Sequence, residues 1–153
     1  MCVIIDASIA PLLFRNPPDK NFLPVSNWLH DPNKDGRLVY GGRLTQELFR
    51  VESTRRYLRA LQQAGKAFLI PDRAISAEEA HVIALRLCRS NDPHVIALAR
   101  ISGARTLCSD DEDLHHDFKN LRLIKPKGYV YQEPGHAHLL RHTKSCGQVR
   151  RRS

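Results

Sequence analysis

Long hydrophobic runs are missing from this chain. The N-terminal stretch Cys2-Val3-Ile4-Ile5 is ended by Asp6, and nothing later approaches the length that a membrane span or a secretory leader needs. Neither a signal peptide nor a membrane anchor is therefore expected. Cysteine is also sparse: Cys2, Cys88, Cys108 and Cys146 form no CxxC pair and no metal-ligand spacing, which argues against a zinc ribbon. Cys2 and Cys108 lie in apolar runs, where a reduced cysteine behaves as a small hydrophobe, so the expectation is a cytoplasmic protein with free thiols. There is no internal repeat and no interdomain linker. With 153 residues and a hydrophobic fraction of 42%, the chain is long enough to bury one continuous core without staples.

Acidic residues all but vanish near the C-terminus. From residue 120 onward eight Lys and Arg face Glu133 alone, so +7 of the net +8 lies in the last 34 residues. A nearly neutral body with a basic arm favours a polyanionic partner, nucleic acid ahead of a membrane surface, because no amphipathic anchor accompanies the charge. The arm residues Arg141, Lys144, Arg150, Arg151 and Arg152 are the candidates for nucleic-acid contact. A solvated terminus that merely keeps the protein soluble is the competing reading.

What is present alternates between strand and helix. Cys2–Asp6 reads as a strand buried on both faces, Leu38–Tyr40 as a second, Ala67–Ile70 as a third, Arg105–Cys108 as a fourth and Leu121–Ile124 as a last, with 129–131 as an extended piece. Helical spacing or signals mark a short helix at 25–30, a run through Leu44, Leu48 and Val51, and another from 54 to 64 stopped by Gly65. Ser76-Ala77-Glu78-Glu79 has the form of a capping box, opening a helix with Ala80, Ile83, Ala84 and Leu87 on its apolar face. Asp92-Pro93 opens another helix, and Ser109-Asp110-Asp111-Glu112 has the form of a second box, which places Asp110 and Asp111 in the first turn of the helix that follows. This order implies an α/β fold with a mostly parallel central sheet and helices on both faces, a three-layer α/β/α sandwich.

In such sheets the functional crevice lies outside the carboxyl ends of the strands. Asp6 ends the first strand and Asp111 follows the fourth, so both reach that edge. Asp92 begins the helix leading into the fourth strand, an order expected to place it at the opposite edge. Carboxylates gathered without histidine or cysteine favour hard cations, Mg²⁺ or Mn²⁺, which bind oxygen and retain water. Such an ion suits phosphodiester hydrolysis and relieves the mutual repulsion of the acids. Simpler roles exist for each residue. Asp92 suffices as a helix cap, Asp110 to Asp113 complement a helix dipole, and Ser109 caps. His115, His116, His136, His138 and His142 read as surface histidines, since no other ligand stands at zinc-site spacing.

Four segments in order, Ile4-Ile5-Asp6-Ala7-Ser8, Leu44-Thr45-Gln46-Glu47-Leu48, 91–99 beginning Asn91-Asp92-Pro93, and 107–114 beginning Leu107-Cys108-Ser109, resemble the PIN-domain nucleases, including the VapC-type toxins. The resemblance covers residues 1–125 and leaves 126–153 as a basic, partly disordered extension. It implies that Asp6, Glu47, Asp92 and Asp111 are the catalytic acids. Asp6, Asp92, Asp111 and Asp113 would hold the metal, and Ser109 would support the site. It also implies that the helix start at Asp92 reaches the acidic pocket, that RNA is cut with Mg²⁺ or Mn²⁺, that the protein is a homodimer, and that toxin members are silenced by an antitoxin. The alternative is a non-catalytic scaffold that binds RNA or a protein partner through the basic tail. A haloacid-dehalogenase-type phosphatase is disfavoured because Ser8 stands where its second aspartate belongs, and a receiver-type switch because Asp6 has no acidic neighbour.

Overall fold

A computed structural model describes residues 2–140. Its five strands are all parallel: β1 (Cys2–Ile5), β2 (Arg37–Gly41), β3 (Ala67–Ile70), β4 (Thr106–Cys108) and β5 (Tyr129–Val130), in the order β3-β2-β1-β4-β5. Every residue of β1 and β4 is buried, as an apolar strand covered on both faces requires. Helices α1 (Ala10–Leu13), α2 (Leu23–His30), α3 (Gly42–Phe49), α4 (Glu52–Gln63), α5 (Asp72–Leu85), α6 (Pro93–Ser102) and α7 (Glu112–Lys119) supply the outer layers of the α/β/α sandwich, and Pro134–Leu139 forms a 3₁₀ turn. No helix among the described residues is long and apolar enough to cross a membrane.

The winding of the chain decides where a site can form. From β1 the sheet grows one way through β2 and β3 and the other way through β4 and β5, so β1 and β4 flank the point where strand order reverses. The Asp6 amide donates to the Cys108 carbonyl at 2.9 Å, which extends the β1–β4 ladder to the first residue of the crevice.

Several local expectations change. α5 starts at Asp72, a turn before Ser76, because Pro71 stops β3 and Ile75 can then be buried from within the helix. The buried face of α5 is Ile75, Glu78 and Val82, whereas Ile83 and Leu85 are exposed; the phase is set by Glu78, whose Oε1 accepts from Arg100 Nε of α6 at 2.8 Å. Residues 121–124 form no strand. The Asn120 carbonyl accepts from the Leu123 and Ile124 amides and its side chain from the Arg122 amide, so a turn delivers Leu123 and Ile124 to the core. β5 takes the fifth place instead, and Tyr131 beyond it is fully buried with its hydroxyl donating to the Asn21 carbonyl at 2.7 Å. The packed fold therefore continues past residue 125. Cys88 and Cys108 are free thiols, but Cys2 is disulfide-bonded, contrary to the expectation that it is reduced.

Candidate metal centre

Asp6 follows β1 directly and is 7% exposed. Burying a carboxylate demands partners, and it has three donors. Its Oδ1 accepts from the Ala7 amide at 2.9 Å, and its Oδ2 accepts from Ser8 Oγ at 3.0 Å and Ser109 Oγ at 2.8 Å. Ser109 comes from the other side of the switch point, one residue after β4. Its oxygen also accepts from the Asp111 amide at 3.1 Å, so one hydroxyl ties both halves of the crevice together.

Asp111 is the N-cap of α7. Its Oδ1 accepts from the Asp113 and Leu114 amides at 2.9 and 3.2 Å, which moves Asp110 and Asp111 out of the first helical turn where the capping-box reading put them. The cap is Asp111 itself, and Ser109 is freed to serve Asp6. Asp113 is exposed in that first turn.

Asp92 lies on the same edge as Asp6 and Asp111, contrary to the placement expected from strand order. The helix that feeds a parallel strand runs antiparallel to it. Gly103, in the left-handed region at φ 82°, closes α6 and the chain enters β4 at Thr106, so the end of α6 sits at the amino edge and its start at the carboxyl edge. Asp92 precedes Pro93 but its side chain caps no helix amide. The connection leading to it is held from α7: the fully buried Asp117 accepts from the Arg89 and Ser90 amides at 2.8 and 2.9 Å and from Ser90 Oγ at 2.7 Å.

Electrostatics bind the acids into one group. Desolvation pushes the Asp92 carboxyl above its ordinary range, and the charges of Asp6 and Asp111 push it further, against Arg43. Glu47, on α3, is raised by desolvation and then by Asp92 and Asp6, with Arg50 and Arg43 opposing. A pocket in which the charges of neighbouring acids raise two carboxyls is suited to a cation.

His94 is a residue the sequence reading missed. It is 1% exposed, and neither ring nitrogen has a hydrogen-bond partner among the described residues. Its Nε2 lies 3.6 Å from Glu47 Oε1, and ligand atoms of Glu47, Asp92 and His94 all fall within 4.8 Å of one another. Desolvation, and then the charge of Arg43, hold the imidazole below its ordinary pKa despite Glu79 and Asp6, so the ring is neutral and one nitrogen keeps a lone pair. The contact with Glu47 is accordingly no ion pair. Of the other histidines, His115 Nε2 meets the Ser109 carbonyl at 2.5 Å and His136 stands 3.9 Å from Glu133. The only sequence signal for His94 was its place two residues after Asp92.

Ligand atoms of Glu47, Asp92 and His94 therefore stand together, the charges of Asp6 and Asp111 reach Asp92, Ser109 links those two residues, and a cation fits the Glu47, Asp92 and His94 donor set. The arm residues Arg141, Lys144, Arg150, Arg151 and Arg152, and also His142, lie outside the described residues. Arg43, exposed at the start of α3, is the cation whose charge reaches Glu47, Asp92 and His94 together.

No protein-family model matches the sequence, and no curated protein sequence does. Among solved structures the chain is similar to a crystal structure of VapBC2 from Rickettsia felis bound to a DNA fragment from their promoter. The identity is 13%, the match covers 85% of this chain and 97% of that chain, and the TM-score is 0.46. A likeness of that size assigns no activity here.

Proposed function

We propose that the protein is a metal-dependent endoribonuclease that hydrolyses RNA phosphodiester bonds. The observation that carries this reading is the acidic group at the carboxyl edge of the sheet, where desolvation first, and then the charges of Asp92 and Asp6 on Glu47 and of Asp6 and Asp111 on Asp92, raise two carboxyls that come from different segments. Acids of a solvated surface patch have no reason to be partly desolvated with two carboxyls raised by the charges of others; a cation pocket does.

In this reading the carboxylates of Asp6, Glu47, Asp92 and Asp111 hold Mg²⁺ or Mn²⁺, with Asp113 as a further acid at the rim. The bound ion supplies Lewis acidity toward a phosphate oxygen and a water acidified toward neutrality. Ser109 and Ser8 fix the Asp6 carboxylate by donating to Oδ2, so its other lone pairs keep a defined direction. Arg43 draws the phosphate toward an otherwise negative pocket. The basic residues of 141–152 add affinity for the RNA backbone without reading its sequence.

The test is cleavage of labelled RNA by the purified protein. Cleavage with Mg²⁺ or Mn²⁺, none in EDTA, and loss of activity in Asp6→Asn and Asp111→Asn with unchanged circular dichroism are expected. Persistent cutting by Asp6→Asn in excess EDTA overturns the mechanism. The toxin role implied by the resemblance is tested separately: an adjacent reading frame should encode a small DNA-binding protein that copurifies and blocks cleavage. Light scattering tests the homodimer.

A further inference from the structure

His94 does not belong to the set of acids on which the proposed function rests, and nothing among the described residues satisfies its ring. We propose that His94 is a nitrogen ligand of the bound cation, through Nε2 beside the carboxylates of Glu47 and Asp92, and that the centre consequently prefers Mn²⁺, a first-row transition ion, to Mg²⁺.

Three observations carry this. His94 is 1% exposed, yet both of its nitrogens lack a hydrogen-bond partner among the described residues, a condition that buried polar side chains rarely sustain without an unseen partner. Nε2 faces Glu47 Oε1 at 3.6 Å. Two atoms bound to one ion at ~2.1 Å lie roughly 3.0 to 4.2 Å apart, so this separation already matches a shared ion, whereas it is too long for a hydrogen bond. The Asp92 carboxylate completes a trio within 4.8 Å.

The chemistry of that trio sets the preference. Mg²⁺ takes oxygen almost exclusively and gives up water reluctantly. An imidazole adds little to its binding but strengthens that of first-row transition ions, and carboxylates with one imidazole suit Mn²⁺ without selecting against water at the remaining positions. The side chain is placed for this by α6: Asp92 stands at its cap and His94 in its first turn, so one helix start delivers an oxygen and a nitrogen while Glu47 closes from α3.

The inference rests on the cation reading of the site, and the experiment separates the two. Wild-type full-length protein loaded with Mn²⁺ is examined by electron spin-echo envelope modulation, natural-abundance and with ¹⁵N-histidine. A directly bound imidazole gives ¹⁴N modulation that changes to the ¹⁵N pattern on labelling. His94→Gln, checked for its fold by circular dichroism, should lose that modulation. Competition titration should show the ratio of Mn²⁺ to Mg²⁺ affinity falling about tenfold or more in His94→Gln, at least the scale on which altered metal surroundings act. Tight Mn²⁺ binding with no nitrogen modulation in the wild type overturns the role of His94 and leaves the cation site standing. Absence of any Mn²⁺ or Mg²⁺ binding overturns both. Should His94→Gln fail to fold, His94→Asn takes its place, and nitrogen modulation that persists in a folded variant belongs to another histidine and overturns the role of His94.

Discussion

Asp117 holds Ser90 twice, by its amide at 2.9 Å and its hydroxyl at 2.7 Å, and the same Ser90 oxygen accepts from the Asp92 amide at 3.3 Å. A fully buried carboxylate on α7 thus fixes the residue that leads Asp92 into the crevice. Asp117 acts on the position of Asp92 through Ser90 and the connection before α6.

Asp117→Ala should therefore cost about 3 kcal/mol or more, the scale for leaving buried donors without a charged acceptor. It should also weaken Mn²⁺ binding in whatever fraction remains folded. Urea unfolding gives the first number and calorimetric titration the second. Lost stability with unchanged Mn²⁺ affinity would show that Asp92 does not depend on this clamp.

Asp92→Asn should stabilise the metal-free protein at neutral pH. The folded-state pKa of Asp92 is raised, so its protonated form is the one the native state favours. Its favourable contribution is complete below the unfolded carboxylate pKa and is lost as pH rises through the folded one. In EDTA the melting temperatures of wild type and variant should converge at acid pH and separate by a few degrees above it, with the wild type lower. Added Mn²⁺ should reverse the order. Parallel curves across the whole pH range would remove the electrostatic account.

Ser109→Ala deletes the donor to Asp6 Oδ2 and the acceptor of the Asp111 amide in one step. The expected loss is ~1–3 kcal/mol for the buried groups left unsatisfied, with Mn²⁺ affinity reduced roughly 10- to 100-fold. Ser109→Thr keeps the hydroxyl and should retain most of both. Denaturation and metal titration of the pair distinguish a lost hydroxyl from a disturbed core.

Ending the chain after Leu140 removes Cys146 but none of the described strands and helices, so the fold should persist at reduced stability while RNA binding weakens and its salt dependence flattens, since each lost phosphate contact lowers the slope by about one. Ending it after Lys127 should instead unfold or aggregate the protein, because it strips β5 from β4 and removes the buried Tyr131. Filter binding across a salt series, with melting curves for both truncations, checks this. Undiminished RNA binding after the cut at Leu140 would make the arm a solubility element.

Asp6 and Asp111 were legible because each stands within three residues of an apolar strand, and strand ends in a parallel sheet share an edge by construction. Asp92 was misplaced by counting elements without their direction: a helix that feeds a parallel strand starts at the carboxyl edge, so the ordinary crossover already suffices. His94 was hidden because burial with unsatisfied nitrogens is a property of surroundings, and in sequence the residue only precedes the apolar run Val95-Ile96-Ala97. The phase of α5 was misread for a related reason. Its buried face includes Glu78, neutralised by Arg100 from another helix, and an ion pair formed in space breaks a hydrophobic pattern read along the chain.

The β1–β4 pairing joins Val3 to Thr106 and Ile5 to Cys108, the two ends of most of the chain. During synthesis β1 must wait for β4 through about a hundred further residues, and Asp6 must wait as long for the Ser109 hydroxyl that orients it. A nascent chain still short of β4 carries Asp6, Glu47 and Asp92 but neither Ser109 nor Asp111. In the nuclease reading, the polypeptide is thereby harmless to the messenger and the ribosome that produce it until β4 and the start of α7 have been made.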